Sequence, residues 1–209
     1  VNNLGNTILI ELIYMLNGQN DEYKTKAQNE EVIKKIFNML LNKIDVNSKN
    51  DNGLTALMVA SKLNDKFIVE ELLVRGALIN DTDNEGNTAL SLSIIKGKDY
   101  RELAKNLLTH GAKIDIRDIN DVTIVEKLID IILKVKNHKR ISSDISVKMD
   151  EGTDYFVILK EMFAKTKVDL STLNSNGEPY FFEPILYGNT DLINLLTRVG
   201  YHINQTDKD

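Results

Sequence analysis

The segment Asn52-Gly53-Leu54-Thr55-Ala56-Leu57 returns as Glu85-Gly86-Asn87-Thr88-Ala89-Leu90, with the two glycines 33 residues apart. That period constrains folding more than any other feature of the chain, because so short a unit leaves an apolar face uncovered and must stack on neighbours. Further copies begin at Leu4-Gly5-Asn6-Thr7-Ile8-Leu9 and Asn176-Gly177-Glu178-Pro179-Tyr180-Phe181, while Asn120-Asp121-Val122-Thr123-Ile124-Val125 keeps the Thr and loses the Gly. A closing phrase recurs as Lys43-Ile44-Asp45-Val46-Asn47, Gly76-Ala77-Leu78-Ile79-Asn80, Gly111-Ala112-Lys113-Ile114-Asp115, Lys167-Val168-Asp169-Leu170-Ser171 and Gly200-Tyr201-His202-Ile203-Asn204. Wherever another unit follows, the last residue of this phrase lies six positions before the next turn residue. A constant offset between units of unequal length means a structurally fixed connector.

With these motifs the chain resembles the ankyrin repeat family, whose pattern is roughly D-x-x-G-x-T-P-L-x-x-A followed by I-V-x-L-L-x-x-G-A-x-V-N. The pattern is kept best in residues 50–80 and 83–115, and the resemblance extends over essentially the whole chain. It implies an all-α solenoid of about five stacked helix-turn-helix units with hairpin-like connecting loops, the first helices lining a concave face. The expected units are 1–47, 48–80, 81–115, 116–171 and 172–204, in one domain, with 205–209 starting another. The family's Pro after the Thr is replaced by Ala56, Ala89, Ile8 and Ile124. Its common His is replaced by Met58, Ser91, Ile10, Glu126 and Phe182, and Pro179 stands where a Thr belongs.

The residue types suit that shape. Gly53 and Gly86 fall where the backbone turns sharply, often with a positive φ that only Gly adopts freely. Thr55 and Thr88 place a hydroxyl at a helix start, and Thr123 with Glu126 reads as a capping box. Leu57, Ala60 and Ser61 face Ile68, Val69, Leu72 and Leu73 at helical spacing, a pattern repeated by Leu90, Ser93, Leu103, Ala104, Leu107 and Leu108. Gly76 and Gly111 are placed to end the second helices. Two intervals between turn positions are long, 48 residues from Gly5 and 56 from Asp121. The surplus falls at Asn17–Asp21 and at Asn137–Gly152, which is expected to be a loop between Val122–Lys136 and Asp154–Lys165. Both chain ends read as cuts through a longer array.

Composition narrows the function. A formal net charge of −5 argues against phosphate backbones as partners, and the absence of cysteine removes disulfides, thiol nucleophiles and thiolate zinc sites. No apolar run reaches the roughly 18 residues of a membrane span, so no membrane insertion is expected. The absence of cysteine leaves the compartment open, with a soluble, cytoplasmic protein the favoured expectation. Asp81-Thr82-Asp83-Asn84-Glu85-Gly86 mimics half of a calcium loop, but the position of the bidentate Glu is Leu92. His110, His138 and His202 are scattered, and no nucleophile has a recognisable base, so no cofactor, metal or enzymatic activity is expected. Lys134, Lys136, Lys139 and Arg140 form a basic cluster that reads as a solvated face. Asn204-Gln205-Thr206 fits a glycosylation sequon.

By the resemblance, partner contacts are expected at the loop tips, Asp51, Asn52 and Leu54, then Asn84, Glu85 and Asn87, then Ile119, Asn120 and Val122, then Ser175, Asn176 and Glu178. Lys62, Leu63, Ile95, Lys96, Asp130, Ile131, Leu186 and Tyr187 would extend that surface. Leu54, Ile119 and Val122 suggest an apolar strip for anchoring a partner. The expected function is a monomeric protein-interaction scaffold. The alternative is a regulatory or targeting segment of a larger enzyme or effector, and a self-associating array is a third reading.

Overall fold

The computed structural model describes residues 5–17, 30–41, 43–94, 100–141, 150–165, 177, 179 and 182–198. The chain divides into two compact units, Val1–Ala112 and Lys113–Asp209, and each is taken by itself. Among the described residues the architecture is helical throughout, broken only by an isolated antiparallel bridge between Arg117 and Thr123. The all-α repeat class expected from the period is the class found.

The first unit holds three helical hairpins: α1 (Ile8–Leu16) with α2 (Glu30–Leu41), α3 (Ala56–Lys62) with α4 (Lys66–Val74), and α5 (Ala89–Ile94) with α6 (Arg101–Thr109). Helices α1, α3 and α5 pack side by side, and each packs on its own partner helix. Helix α3 lies between neighbours, and its residues Ala56 to Ser61 are all buried. An all-round apolar helix is stable only in such a position. Leu9, Ile10, Ile13, Leu57, Ile68, Leu72, Leu90, Leu103 and Leu107 form the core, each side chain contributing about 1.5–3 kcal/mol through burial.

Local chemistry sets the helix ends. The hydroxyls of Thr7, Thr55, Thr88 and Thr123 accept from the N–H groups of Ile10, Met58, Ser91 and Glu126 at 3.3–3.4 Å. Ser91 Oγ returns the bond to Thr88 by accepting its N–H at 2.9 Å. Helix α4 ends in a Schellman motif, in which the Ala77 and Gly76 N–H groups donate to the Leu72 and Leu73 carbonyls and Gly76 takes φ +81°. Helix α6 ends the same way at Gly111. After α3 the left-handed position is Asn64, at φ 56°, a residue that tolerates it better than most.

Consecutive repeats of the first unit are joined by side chains that bond backbone. Asn47 Oδ1 accepts from the Leu78 N–H at 2.8 Å while its Nδ2 donates to the Gly76 carbonyl at 3.3 Å, and Asn80 Nδ2 donates to the Gly111 carbonyl at 3.2 Å. These asparagines end the closing phrase, so the last residue of each phrase ties its repeat to the closing segment of the next. Asn47→Ala is expected to lower stability by about 1 kcal/mol, since both bonds are solvent-exposed and water replaces part of each. An unchanged midpoint in urea unfolding would show that the tie contributes nothing.

In the second unit α7 (Ile124–Ile141) packs on α8 (Asp150–Lys165), and α9 (Phe182–Leu186) on α10 (Thr190–Arg198). Leu128, Ile129, Ile132 and Leu133 from α7 are buried, as are Ile158, Leu159, Met162 and Phe163 from α8. The expected loop at Asn137–Gly152 is corrected at both ends. Helix α7 runs on to Ile141 and α8 starts at Asp150, so much of the surplus lengthens helices, to 18 and 16 residues. Lys139 and Arg140 are good helix formers that carry no apolar period, and Asp150 and Glu151 suit the start of a helix. Residues 142–149, like the expected polar tip at 18–21, lie outside the described residues.

Candidate functional site

The loop tips share one construction. Asn50 Oδ1 accepts from the N–H groups of Asn52 and Leu54 at 3.1 and 2.8 Å. Asp83 Oδ1 does the same for Glu85 and Asn87 at 3.0 and 2.8 Å, and Asp118 Oδ1 for Asn120 and Val122 at 2.8 and 3.0 Å. Each acceptor lies three residues before the turn position, Gly53, Gly86 or Asp121, whose φ values are +76°, +81° and +61°. The positive φ expected of Gly is therefore real, and Asp121 adopts it where the Gly is missing. Asp and Asn are the side chains that make such local bonds and tolerate such a φ. Sequence reasoning gave the acceptors no role, although their place three residues before each turn was visible.

In the first unit the tips are bonded to each other. The Asn84 N–H donates to the Asn52 carbonyl at 3.1 Å, and Asn84 Nδ2 to the Asp51 carbonyl at 2.9 Å. Lys49 Nζ reaches the Thr82 carbonyl at 2.7 Å and lies 3.9 Å from the Asp81 carboxylate. A row of backbone held in this way presents the Asp51, Asn52, Asn84 and Glu85 side chains to solvent. In the second unit Ile119, Asn120 and Asp121 are exposed at the corresponding turn, Ile119 at 69%.

Two expected contact residues face inward. Leu54 is 9% exposed and Asn87 7%, both at the position after the turn glycine, where Asn6 is also buried at 6%. Asn87 satisfies that burial by donating to the Asp83 and Glu85 carboxylates at 3.2 Å. Val122, at the same register position, is partly buried. The expected apolar strip of Leu54, Ile119 and Val122 thus reduces to Ile119, because the repeat turns the other two towards the interior. Lys62, Leu63, Asp130 and Ile131 are half-buried, while Leu186 and Tyr187 are exposed beside an equally exposed Ile185 that the sequence did not single out. Ile95, Lys96, Ser175, Asn176 and Glu178 lie outside the described residues, as do His202 and the Asn204 sequon.

The electrostatics are concentrated at Asp118. Its burial alone would push the carboxyl up, but Lys127 Nζ at 2.7 Å and the N–H groups of Val122 and Asn120 outweigh that and hold it below the usual carboxylate range. Arg117 lies 3.6 Å from Asp121 and 3.5 Å from the buried Glu126. The Thr123 side of the expected capping box is therefore present, with the Glu126 carboxylate beside Arg117. His110 caps the C-terminus of α6, its Nδ1 3.0 Å from the Asn106 carbonyl, a structural placement. Among the described residues no group of three or more His, Cys, Asp or Glu could hold a metal ion, and no helix is long and apolar enough to cross a membrane.

A family profile described as ankyrin repeats, three copies, matches residues 25–118. The chain is also 35% identical over 117 residues to FPV031 of fowlpox virus (strain NVSL), named as an ankyrin repeat protein. That match covers 52% of this chain and 33% of the relative, so the chain spans about a third of that protein's length. Among solved structures, a chain in the complex of the Bd0816 predatory endopeptidase from Bdellovibrio bacteriovorus with immunity protein Bd3460 is similar, with a TM-score of 0.60 at 22% identity. The similarity covers 98% of this chain and 86% of that one, and at such identity it is a likeness of fold alone.

Proposed function

We propose that this chain, which belongs to the ankyrin repeat family, is a protein-interaction scaffold that captures another protein through the tips of its loops. Ankyrin repeats generally mediate protein–protein interaction, and the family is typically non-enzymatic. The observation that carries the reading is the bonded row of tips in the first unit, where Asn84 fixes the Asp51 and Asn52 backbone while four polar side chains remain exposed. Such a surface is ordered before binding, so a partner does not meet the entropic cost of ordering it. Asp51, Asn52, Asn84 and Glu85 are the proposed contacts in that row, with Ile119 and Asn120 as a separate set in the second unit. No catalytic residue is assigned.

The test is an affinity capture from host lysate with the wild type and with Asn52→Arg, compared by thermal unfolding. The Asn52 side chain is exposed, so the variant is expected to lose the partner while its stability stays within about 0.5 kcal/mol. Retention of the same partner by the variant, or loss of binding and stability together, would remove the reading. A second reading, a targeting or regulatory segment of a larger protein, is favoured by the relative, since the matched part makes up 33% of its length. The complete open reading frame decides that one, because a frame confined to these residues would exclude it.

A further inference from the structure

Three Asn-Gly pairs occur in the chain, at 17–18, 52–53 and 176–177, and the middle one is the pair of which both residues are described. An asparagine followed by glycine is the pair best suited to close on itself, because no Cβ shields the nitrogen that must reach the asparagine carboxamide. The use of the carboxamides separates Asn52 from its neighbours. Asn47, Asn50, Asn80, Asn84 and Asn87 each bond through theirs. The Asn52 side chain is exposed, and its carboxamide has no hydrogen-bond partner among the described residues. The peptide group that joins Asn52 to Gly53 is, by contrast, held on both sides. Its N–H donates to the Asn50 carbonyl at 2.9 Å, and its carbonyl accepts from the Asn84 N–H at 3.1 Å. Turning the Gly53 nitrogen towards the Asn52 side chain swings that whole planar group, so both bonds must break first.

We propose that Asn52 is a self-modification site, with the main chain as nucleophile and water as the co-reactant, and that the bonded row of tips keeps it closed. The Gly53 nitrogen gives its proton to solvent and attacks Asn52 Cγ. That C–N bond forms, the Cγ–Nδ2 bond breaks, and Nδ2 leaves as ammonia. Water then opens the succinimide at one of its two carbonyls, giving aspartate or isoaspartate at position 52 with no change of oxidation state. The isoaspartate route leads the main chain through the former side chain, one carbon longer, and turns the carbonyl that Asn84 holds into a free carboxylate. Either product adds a negative charge next to Asp51, and the loss of ammonia makes the change one-way. The inference is independent of what the tips bind.

Incubation of the full chain at mildly alkaline pH, followed by peptide mass spectrometry that separates aspartate from isoaspartate at position 52, reads the conversion directly. The folded wild type is expected to convert about 10- to 100-fold more slowly than the same chain in concentrated urea, the factor that two net hydrogen bonds place on a local opening. Asn84→Ala removes the Nδ2 bond to the Asp51 carbonyl and leaves residues 50–54 unaltered. It is expected to convert about three- to tenfold faster than the wild type. Asn47→Ala, which removes a tie between repeats away from the tips, is the control and is expected to match the wild type. A folded wild type that converts as fast as the chain in urea, an Asn84→Ala variant no faster than the wild type, or an Asn47→Ala variant as fast as Asn84→Ala overturns the inference. Circular dichroism verifies that each variant keeps its helices, and Asn84→Asp, which loses the same donor, gives the same readout should the alanine variant unfold.

Discussion

Gly53→Ala is expected to destabilise the protein by about 2–5 kcal/mol, well beyond what alanine costs at another left-handed glycine. Two effects add at this position. The backbone φ of +76° is unfavourable for any residue with a Cβ, and the added carbon would lie 2.7 Å from the Asn84 backbone nitrogen and 2.5 Å from its side-chain oxygen. The backbone atom cannot move without disturbing the Asn84 bond to the Asn52 carbonyl. Gly76→Ala is the control, because its φ is +81° but nothing lies within 4 Å of the added carbon. It is expected to cost only the conformational part, about 1–2 kcal/mol. Urea unfolding of both variants separates the terms, and equal losses would show that the close approach of the next tip contributes nothing.

Asp118→Ala is expected to cost about 2–4 kcal/mol, whereas Asp118→Asn costs about 1–2 kcal/mol. Alanine leaves the Asn120 and Val122 N–H groups without their acceptor and deprives Lys127 of its carboxylate. Lys127 is about a quarter exposed and recovers part of its hydration, which keeps the loss at the lower end of the range for broken buried pairs. Asparagine retains an oxygen for both N–H groups, as Asn50 does in the first unit, and loses only the charge. The pH dependence follows from the lowered pKa. A carboxyl that releases its proton more readily folded than unfolded adds stability above the unfolded value of about 4, and that contribution is lost as the pH falls through the folded value. Acid titration of stability should therefore be shallower in Asp118→Asn than in the wild type. Parallel curves would mean that the Lys127 pair contributes nothing to folding.

The features legible in sequence were those where one residue type meets one backbone requirement. Gly53 and Gly86 at positive φ, the threonine caps and the Schellman glycines Gly76 and Gly111 are of this kind. The inward turn of the position after the glycine was not legible, because Asn6, Leu54, Asn87 and Val122 share no polarity at that place. Burial there is satisfied by packing in one repeat and by hydrogen bonds in another, as Asn87 shows. Loop position was consequently mistaken for exposure at Leu54 and Asn87. The length of α7 was hidden for a related reason: Asn137 to Arg140 continue the helix without continuing its apolar stripe. Of the expected contact set, Asp51, Asn52, Asn84 and Glu85 came from the family resemblance, and the structure adds that these four are exposed. The bonds at Asn50 and Asp83 lie within one tip, whereas those from Asn84 join two tips and emerge only when two repeats are seen together.

The joint that Asn47 makes with the following repeat engages a backbone carbonyl and a backbone N–H, not a side chain. Asn80 meets the Gly111 carbonyl in the same manner. A joint of that kind recognises the course of the neighbouring chain and is indifferent to most of its residues. Whole repeats can thus be duplicated, lost or exchanged by recombination, and the asparagine will find the same groups in whatever repeat arrives next. Divergence within each repeat is correspondingly freed, so a gene built this way can change what its loops display at the speed of point mutation and change its length at the speed of unequal crossing-over.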